Sequence, residues 1–221
     1  MSNRTRTRLV VFDWDGTLVD SIGSIVECTY AMLDELGLEK LSEERVLSLI
    51  GRGLEECVEA LSPTGDLEIR TRIVETYRRL WFTEYHHRSD LIEGARSVVS
   101  QLGKQGLWLA VATAKSRAGL LSDLERAGLA KMFHASRTPD ETSAKPHPAM
   151  LLEILDELGV RAEEALMVGD SIHDLNMAHS AGVPVVAVAS GAQSAESLLA
   201  AEPLACLPSV AELTDWMRQA D

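Results

Sequence analysis

Two aspartates follow a short apolar run near the start of the chain. The run Leu9 to Phe12 is typical of a buried strand, and Asp13, Asp15 and Gly16 come directly after it. Side chains two residues apart on extended backbone share a face, so the carboxylates of Asp13 and Asp15 are expected to point the same way. Such carboxylates repel each other unless a cation or a proton intervenes. The stretch therefore predicts either a cation site or an ordinary aspartate-rich turn.

Groups suited to a phosphate follow later segments. Thr113 and Ala114 come directly after the apolar segment 107–112 and before a predicted helix. A hydroxyl group and backbone amides at a helix N-terminus suit phosphate oxygens. Lys145 precedes Pro146 at the predicted start of another helix, where it would supply one fixed positive charge. These residues predict a phosphate-binding group.

Two further aspartates, Asp170 and Asp174, follow the apolar segment 165–168. Ligands of open parallel sheets bind beyond the carboxyl ends of the strands, so these carboxylates are expected to converge with Asp13 and Asp15. Four converging carboxylates require a hard divalent cation, and Mg²⁺ suits oxygen ligands that include a substrate phosphate. Taken alone, Thr113 is as consistent with a strand-end cap, Lys145 with a solvated surface charge and Asp174 with a helical surface position. Their shared position after predicted strands favours phosphoryl transfer.

The elements that must position these residues alternate between strands and helices. This alternation predicts an α/β fold with a Rossmann-like, doubly wound parallel sheet. Residues 22–87 show helical periodicity and no convincing strand, which predicts an α-helical insert after the first strand. We therefore expect a Rossmann-like core at residues 1–20 and 90–221 and a helical cap domain at residues 21–89.

Several boundaries follow from turn and cap signals. A frayed tail is predicted at Met1 to Arg8 and a turn at Ser62 to Gly65. One long amphipathic helix is predicted over Asp66 to His87, a brief strand over Phe133 to Ala135, and a helix from Pro146 to Gly159.

Composition limits the partners of the chain. Its 221 residues are 46% hydrophobic with a formal net charge of −13, which argues against nucleic acid as the main partner. No apolar run approaches the ~20 residues of a membrane span, and no secretory segment opens the chain. Cys28, Cys57 and Cys206 form no paired motif and are expected to be small buried hydrophobes in a reducing compartment. We expect a cytoplasmic monomer or homodimer that acts on a small molecule.

Four segments together resemble the four motifs of the haloacid dehalogenase superfamily. They are Asp13-Trp14-Asp15-Gly16-Thr17, Thr113, Lys145-Pro146-His147-Pro148, and Gly169-Asp170-Ser171 with Asp174. The resemblance extends from Val10 to about Gly182, and the inserted helices resemble the helical cap of that superfamily. Within it, the chain is most similar to the phosphoglycolate phosphatase-like branch.

The resemblance implies a Mg²⁺-dependent phosphatase that hydrolyses a small phosphate monoester, phosphoglycolate or a similar compound. Asp13 would attack phosphorus and form an aspartyl phosphate, and Asp15 would protonate the leaving oxygen and then activate water. Thr113, Lys145 and the amide of Ala114 would bind the phosphoryl oxygens.

The resemblance also implies a metal site. Asp13, Asp170 and the backbone carbonyl of Asp15 would bind Mg²⁺, and Asp174 would be either a further ligand or a partner behind the ligands. Asp15 argues against dehalogenation, which needs only the first aspartate.

Other functions remain open at this point. Sugar-phosphate mutases of the superfamily usually carry a histidine shortly after the first motif, and residues 21–26 contain none. A pyrophosphatase of the same superfamily is a further alternative. Receiver domains also combine aspartates, a threonine and a lysine around Mg²⁺, but their phospho-accepting aspartate follows a middle strand and they lack a helical insert.

The cap offers one candidate for substrate recognition. Arg52 lies between two glycines in a predicted helix connection and could bind a substrate carboxylate. A solvated arginine in a loop explains it equally well. Residues 86–88, His-His-Arg, are either a hinge or a polar linker.

Overall fold

A six-stranded parallel sheet lies at the centre of the core. The computed structural model describes residues 7–62 and 65–220, so most of the predicted tail and the middle of the predicted turn at 62–65 lie outside the described residues. In chain order the strands are β1 (Leu9–Phe12), β2 (Val19–Asp20), β3 (Asp90–Leu91), β4 (Trp108–Ala112), β5 (Ala135–Arg137), β6 (Ala165–Gly169), β7 (Val185–Val188) and β8 (Cys206–Leu207). The sheet has the order β5-β4-β1-β6-β7-β8, while β2 and β3 form a separate antiparallel ribbon.

Ten α-helices surround the strands within the described residues. They are α1 (Ile22–Leu36), α2 (Glu43–Leu47), α3 (Leu54–Leu61), α4 (Leu67–Leu80), α5 (Ala95–Lys104), α6 (Arg117–Arg126), α7 (Ala149–Leu158), α8 (Ile172–Ser180), α9 (Ala195–Leu199) and α10 (Leu213–Ala220). The first four come between β2 and β3, where the helical insert was expected.

Both faces of the sheet are covered. Val10 and Phe12 pack into one hydrophobic cluster with residues of α5, α6 and α10, whereas Leu9 and Val11 pack into a second cluster with residues of α7, α8 and α9. This alternation follows from the two-residue period of a strand, and it makes β1 apolar throughout. The predicted α/β fold with a doubly wound parallel sheet is confirmed.

The cap has a hydrophobic cluster of its own, formed mainly between α1 and α4. Its buried members are Cys28, Met32, Leu33, Val58, Ile73, Leu80, Trp81 and Tyr85. The β2–β3 ribbon pairs Val19 with Leu91 and Asp20 with Asp90, so both chain connections to the cap run side by side. The division into a cap at residues 21–89 and a two-segment core agrees with these clusters and stays a prediction.

The long cap helix ends earlier than its periodicity predicts. Asp66 caps it by accepting hydrogen bonds from the amides of Glu68 and Ile69, but α-helical geometry stops at Leu80. A π-helical turn, Trp81–Tyr85, and a 3₁₀ turn, His86–Arg88, follow. The wider π-helical turn keeps the rings of Trp81 and Tyr85 buried at its two ends. The hydrophobic periodicity of the sequence does not distinguish such a turn from a continuing α-helix.

Two predicted boundaries in the core are wrong. β5 begins at Ala135 because the ring of Phe133 packs edge-on against Phe12 and Trp14 instead of entering the sheet. The helix expected from Pro146 begins at Ala149, because Pro148 disfavours helical backbone at the residue before it. Lys145 consequently lies in a turn before α7 and not at the mouth of the helix.

Some shorter features were not predicted, or were predicted incorrectly. The strands β2 and β3 and the helix α9 are too short to give a clear periodic signal. All three cysteines are free, but only Cys28 is buried, while Cys57 and Cys206 are partly exposed. Within the described residues, none of the helices is both long and apolar enough to cross a membrane.

The two hydrophobic clusters predict that a leucine-to-alanine change destabilises the protein much more at a buried position than at an exposed one. Replacing Leu102, which is 1% exposed on α5, by alanine should lower the free energy of unfolding by roughly 2–5 kcal/mol, because the deletion leaves a cavity. The same change at Leu152, which is 47% exposed on α7, should stay within about 0.5 kcal/mol. Urea unfolding followed by circular dichroism measures both, and equal effects would contradict the assigned core.

Candidate active site

The parallel register of the central strands aligns three strand ends. Phe12 pairs with Val111 of β4 and with Val168 of β6, so the residues after β1, β4 and β6 emerge at one edge. The amide of Asp13 continues this pairing by donating to the carbonyl of Val168 at 2.9 Å. Because β4 and β6 flank β1 on opposite sides, Asp13 lies at the point where the strand order reverses.

Lys145 is completely buried beside two carboxylates. Its Nζ lies 2.8 Å from Asp13 Oδ1, as an ion pair without the alignment of a hydrogen bond, and donates to Asp174 Oδ1 at 2.6 Å. The other oxygen of Asp174 accepts hydrogen bonds from the amide and hydroxyl of Ser171, at 3.1 and 2.7 Å. Asp174 thus contacts Lys145 with one oxygen and Ser171 with the other.

Asp13, Asp170 and Asp174 form a carboxylate trio, each with a ligand oxygen within 4.8 Å of the others. Burial raises the pKa of Asp170, and Asp13 and Asp174 raise it further. Burial also raises the pKa of Asp13, opposed by the Lys145 ammonium. Lys145 is the only cation that contacts the trio in the described part of the chain, so two negative charges are left for a bound ion when all three carboxylates are ionised. A site whose donors are all carboxylate oxygens, and which carries a residual negative charge, fits Mg²⁺.

A loop after β7 holds Asp170 in place. Thr17 Oγ1 donates to one carboxylate oxygen of Asp170 and the amide of Ala192 donates to the other, both at 3.0 Å. A side chain at Gly191 would overlap that second oxygen, and a Cβ at Gly16, where φ is +77°, would lie 2.5 Å from it. This loop is not predictable from the sequence, because its small residues carry no chemical signal of their own.

The Asp15 carboxylate lies apart from the trio. Its Oδ1 accepts a hydrogen bond from Ser21 Oγ at 2.7 Å and lies 3.1 Å from Lys115 Nζ. The predicted metal role of Asp15 rests on its backbone carbonyl and stays a prediction. The two aspartates of the first motif therefore face different cations.

A buried aspartate on α6 completes this second cluster. Asp123 lies 3.3 Å from Lys115 Nζ and accepts a hydrogen bond from the Trp14 ring nitrogen at 3.1 Å. Sequence reasoning identified neither Asp123 nor Lys115. A charged residue on the buried face of an amphipathic helix is the signal that could have found Asp123.

The expected phosphate-binding residues lie before a helix and not at its first turn. α6 begins at Arg117 with Ser116 as its N-cap, so Thr113 and Ala114 belong to the preceding loop. The Thr113 hydroxyl oxygen accepts a hydrogen bond from the amide of Lys115 at 3.2 Å, which leaves its own hydrogen available to donate. Thr113 and Ala114 both line the cavity above the trio.

This cavity separates the core from the cap and has a volume of about 820 Å³. Its core side includes Asp13, Asp15, Thr113, Ala114, Lys115 and Asp170. Its cap side is mainly apolar, with Ile25, Met32, Leu49, Ile50, Tyr77 and Trp81. The volume of this cavity is larger than a phosphate group alone requires.

Arg52 reaches the cavity from the cap. The preceding Gly51 has φ +91°, and a Cβ there would lie 2.9 Å from the hydroxyl oxygen of Ser171, so the loop presses against the core. Arg52 Nε is buried and has no hydrogen-bond partner among the residues described, and its Nη1 lies 3.9 Å from Glu56. The structure thus brings Arg52 to the site without giving it a strong partner.

Residues 86–88 do not line the cavity. Arg88 donates to Glu27 at 3.1 Å and lies 4.4 Å from the centre of the Tyr85 ring, next to the β2–β3 ribbon. The His-His-Arg run therefore belongs to the cap–core connection.

A family model described as haloacid dehalogenase-like hydrolase matches residues 10–188. The chain belongs to this family. The hydrolase is 28% identical over 220 residues to a phosphoglycolate phosphatase from Nitrosococcus oceani, which covers 96% of this chain and 97% of the relative. It is 32% identical over 212 residues to a phosphoglycolate phosphatase from Yersinia pseudotuberculosis, with 93% of this chain and 91% of the relative covered.

A solved structure supports the same assignment. A hydrolase from Pseudomonas syringae superimposes with a TM-score of 0.84 at 26% identity, covering 96% of this chain and 99% of that one. The hydrolase is accordingly a phosphoric monoester hydrolase of the phosphoglycolate phosphatase-like branch. The receiver-domain alternative is excluded.

The Gly191 contact predicts a metal-binding defect. Gly191→Ala should raise the Mg²⁺ concentration for half-maximal activity by about 10- to 100-fold, since the new Cβ displaces a carboxylate that would bind the ion. Titration calorimetry with Mg²⁺ should show the same loss. Gly23→Ala, where nothing lies within 4 Å, is the matched control and should bind Mg²⁺ normally.

Proposed function

We propose that this hydrolase is a Mg²⁺-dependent phosphatase that acts on a small phosphate monoester, phosphoglycolate or a similar compound, through an aspartyl phosphate. The observation that carries the proposal is the buried Asp13 carboxylate, which opens to the cavity and is held by Lys145 at 2.8 Å. A carboxylate fixed in this way is suited to in-line attack on phosphorus.

The first half-reaction uses both aspartates of the first motif. A carboxylate oxygen of Asp13 bonds to phosphorus as the bond to the leaving oxygen breaks. Asp15 gives its proton to that oxygen, so a neutral alcohol departs. Asp15 is suited to this step because it lies outside the trio, at the wall of the same cavity.

The second half-reaction restores the enzyme. Asp15, now ionised, takes a proton from a water molecule as the water oxygen attacks phosphorus. The bond between phosphorus and Asp13 breaks, inorganic phosphate leaves, and Asp15 regains its proton for the next turnover.

Other residues neutralise and orient the phosphoryl group. Asp13, Asp170 and the carbonyl of Asp15 would hold Mg²⁺, which supplies positive charge to the phosphoryl oxygens. Asp174 acts behind the ligands by positioning Lys145, because both of its oxygens are already engaged.

Phosphate recognition falls to the loop after β4. The hydroxyl of Thr113 and the amide of Ala114 would donate to phosphoryl oxygens from the cavity wall, and Lys145, buried 2.8 Å from Asp13 Oδ1, would add a charged donor. These groups bind the part of the substrate that all phosphate esters share.

Arg52 would recognise the leaving group. Its buried Nε lacks a partner in the described structure, and a substrate carboxylate would provide one. The names of the phosphoglycolate phosphatase relatives agree with an acidic leaving group. The 820 Å³ cavity also admits larger esters, so a substrate panel should include phosphoglycolate, sugar phosphates, nucleotides and pyrophosphate. Pyrophosphate turnover or conversion of one sugar phosphate into another would favour the pyrophosphatase or mutase alternatives.

The nucleophile assignment predicts the loss of the covalent intermediate. Asp13→Asn should reduce kcat to the uncatalysed background, because a neutral amide is a poor nucleophile, and the fold should persist. Rapid quench with a ³²P-labelled ester measures phosphoenzyme directly. Asp156→Asn, an exposed change on α7, should retain wild-type turnover. Substantial turnover or labelling of the Asp13 variant would refute the proposed nucleophile.

The role of Arg52 predicts selectivity for charge. Arg52→Ala should raise KM for phosphoglycolate about tenfold or more, since a hydrogen bond to a charged group contributes roughly 1.5–3 kcal/mol. KM for glycerol 2-phosphate, which lacks the carboxylate, should change little. Steady-state kinetics compare the two, with the exposed Arg45→Ala as the cap control. Equal increases would place Arg52 outside substrate recognition.

A further inference from the structure

We infer that Lys115 is a positioning residue, which holds the Asp15 carboxylate for proton transfer and links it to the cap through Trp81. The inference rests on the proposed role of Asp15 and adds a residue that the four motifs do not contain. Thr113 is the motif residue of its loop, and Lys115 comes two positions after it.

Lys115 lies between two carboxylates. Its Nζ is 3.1 Å from Asp15 Oδ1 and 3.3 Å from Asp123 Oδ2, and only 7% of its side chain is exposed. Burial lowers the pKa of the Lys115 ammonium, but the two carboxylates outweigh it and raise the pKa above its ordinary value. Lys115 is therefore paired with Asp15 on one side and with Asp123 on the other.

The Asp123 carboxylate is itself held in place by two hydrogen-bond donors. The Trp14 ring nitrogen donates to its Oδ2 at 3.1 Å, and Arg126 Nη2 donates to its Oδ1 at 3.3 Å. Asp123 is 3% exposed, so its carboxylate cannot leave these donors for water. Asp123 consequently holds the Lys115 ammonium on the side away from Asp15.

The cap supplies the third side of the Lys115 site. Lys115 Nζ lies 4.7 Å from the centre of the Trp81 ring, which stacks on Tyr77 at 6.2 Å. Both rings belong to the cap, so this cation–π contact exists only while the cap lies against the core. Arg126 makes a parallel link, donating to the carbonyl of Ser89 at 2.6 Å where the chain leaves the cap.

These three contacts indicate that Lys115 positions Asp15 and does not bind the substrate itself. An ammonium group has three donors. The Lys115 ammonium already contacts Asp15, Asp123 and the face of Trp81, which disfavours a further contact with a phosphoryl oxygen. Lys115 therefore acts on the reaction through Asp15.

A leaving-group comparison tests this role. Glycerol 2-phosphate needs a proton on its leaving oxygen, whereas 4-nitrophenolate leaves without one. Lys115→Met should lower kcat/KM for glycerol 2-phosphate about 100-fold, the range of general acid catalysis, and for 4-nitrophenyl phosphate less than about tenfold. Asp15→Asn should show the same split, and the double variant should lose little more than Asp15→Asn alone. The exposed Lys104→Met is the matched control and should keep wild-type kinetics.

A spectroscopic readout accompanies the kinetics and needs neither metal nor turnover. The ¹⁵N–¹H signal of the Lys115 ammonium is identified by its loss in Lys115→Arg, which keeps the positive charge. It should shift in Asp15→Asn, and also in Trp81→Leu, which removes the ring current. A signal that neither variant moves would refute the contacts, and this test holds even where Lys115→Met fails to fold.

The remaining outcomes are also decisive. Equal losses on both esters, with a raised KM, would make Lys115 a substrate ligand and overturn the inference, and so would unchanged kinetics. Wild-type enzyme that releases no phosphate from any ester in Mg²⁺ would instead refute the proposed function itself, and the inference with it.

Discussion

The ion pair between Lys145 and the carboxylates around it is the constraint on which the site depends. Asp13, Asp170 and Asp174 are all buried, and like charges at this separation oppose folding unless cations compensate them. Removing one member of a buried, hydrogen-bonded ion pair typically costs about 3–5 kcal/mol, because the partner charge stays buried. Lys145 thus offsets the charge of the trio, and the same contact would fix Asp13 as the proposed nucleophile.

Close backbone packing makes this charge cluster possible. A Cβ at Gly169, the last residue of β6, would lie 2.5 Å from Asp174 Cβ, so only glycine lets the strand approach this carboxylate. Gly191 has the same role toward Asp170. The trio is therefore assembled by backbone geometry at the ends of β6 and β7, and its carboxylate oxygens suit a divalent cation.

The sequence predicts the parts of the site that lie directly after central strands. Asp13, Thr113 and Asp170 could be located because parallel strands in register bring their carboxyl ends to one edge. The Trp14–Asp123 hydrogen bond joins residues 109 positions apart, and no local pattern reports such a contact. The start of α7 and the π-helical turn were missed for a related reason, because a proline restriction and aromatic packing overrode the hydrophobic period.

The two aspartates of the first motif have the same charge and nearly the same position, yet their surroundings separate their chemistry. Asp13 lies within the trio, where Lys145 and a metal would keep it ionised as a nucleophile. Asp15 turns toward Lys115 and Ser21 and faces the cap across the cavity. The proposed proton-transfer role of Asp15 would benefit from this position, because a cap over the cavity would exclude bulk water from it. Lys115 contacts Trp81 of the cap and Asp15 of the core at once, so the proposed proton-transfer group is oriented while the cap covers the cavity.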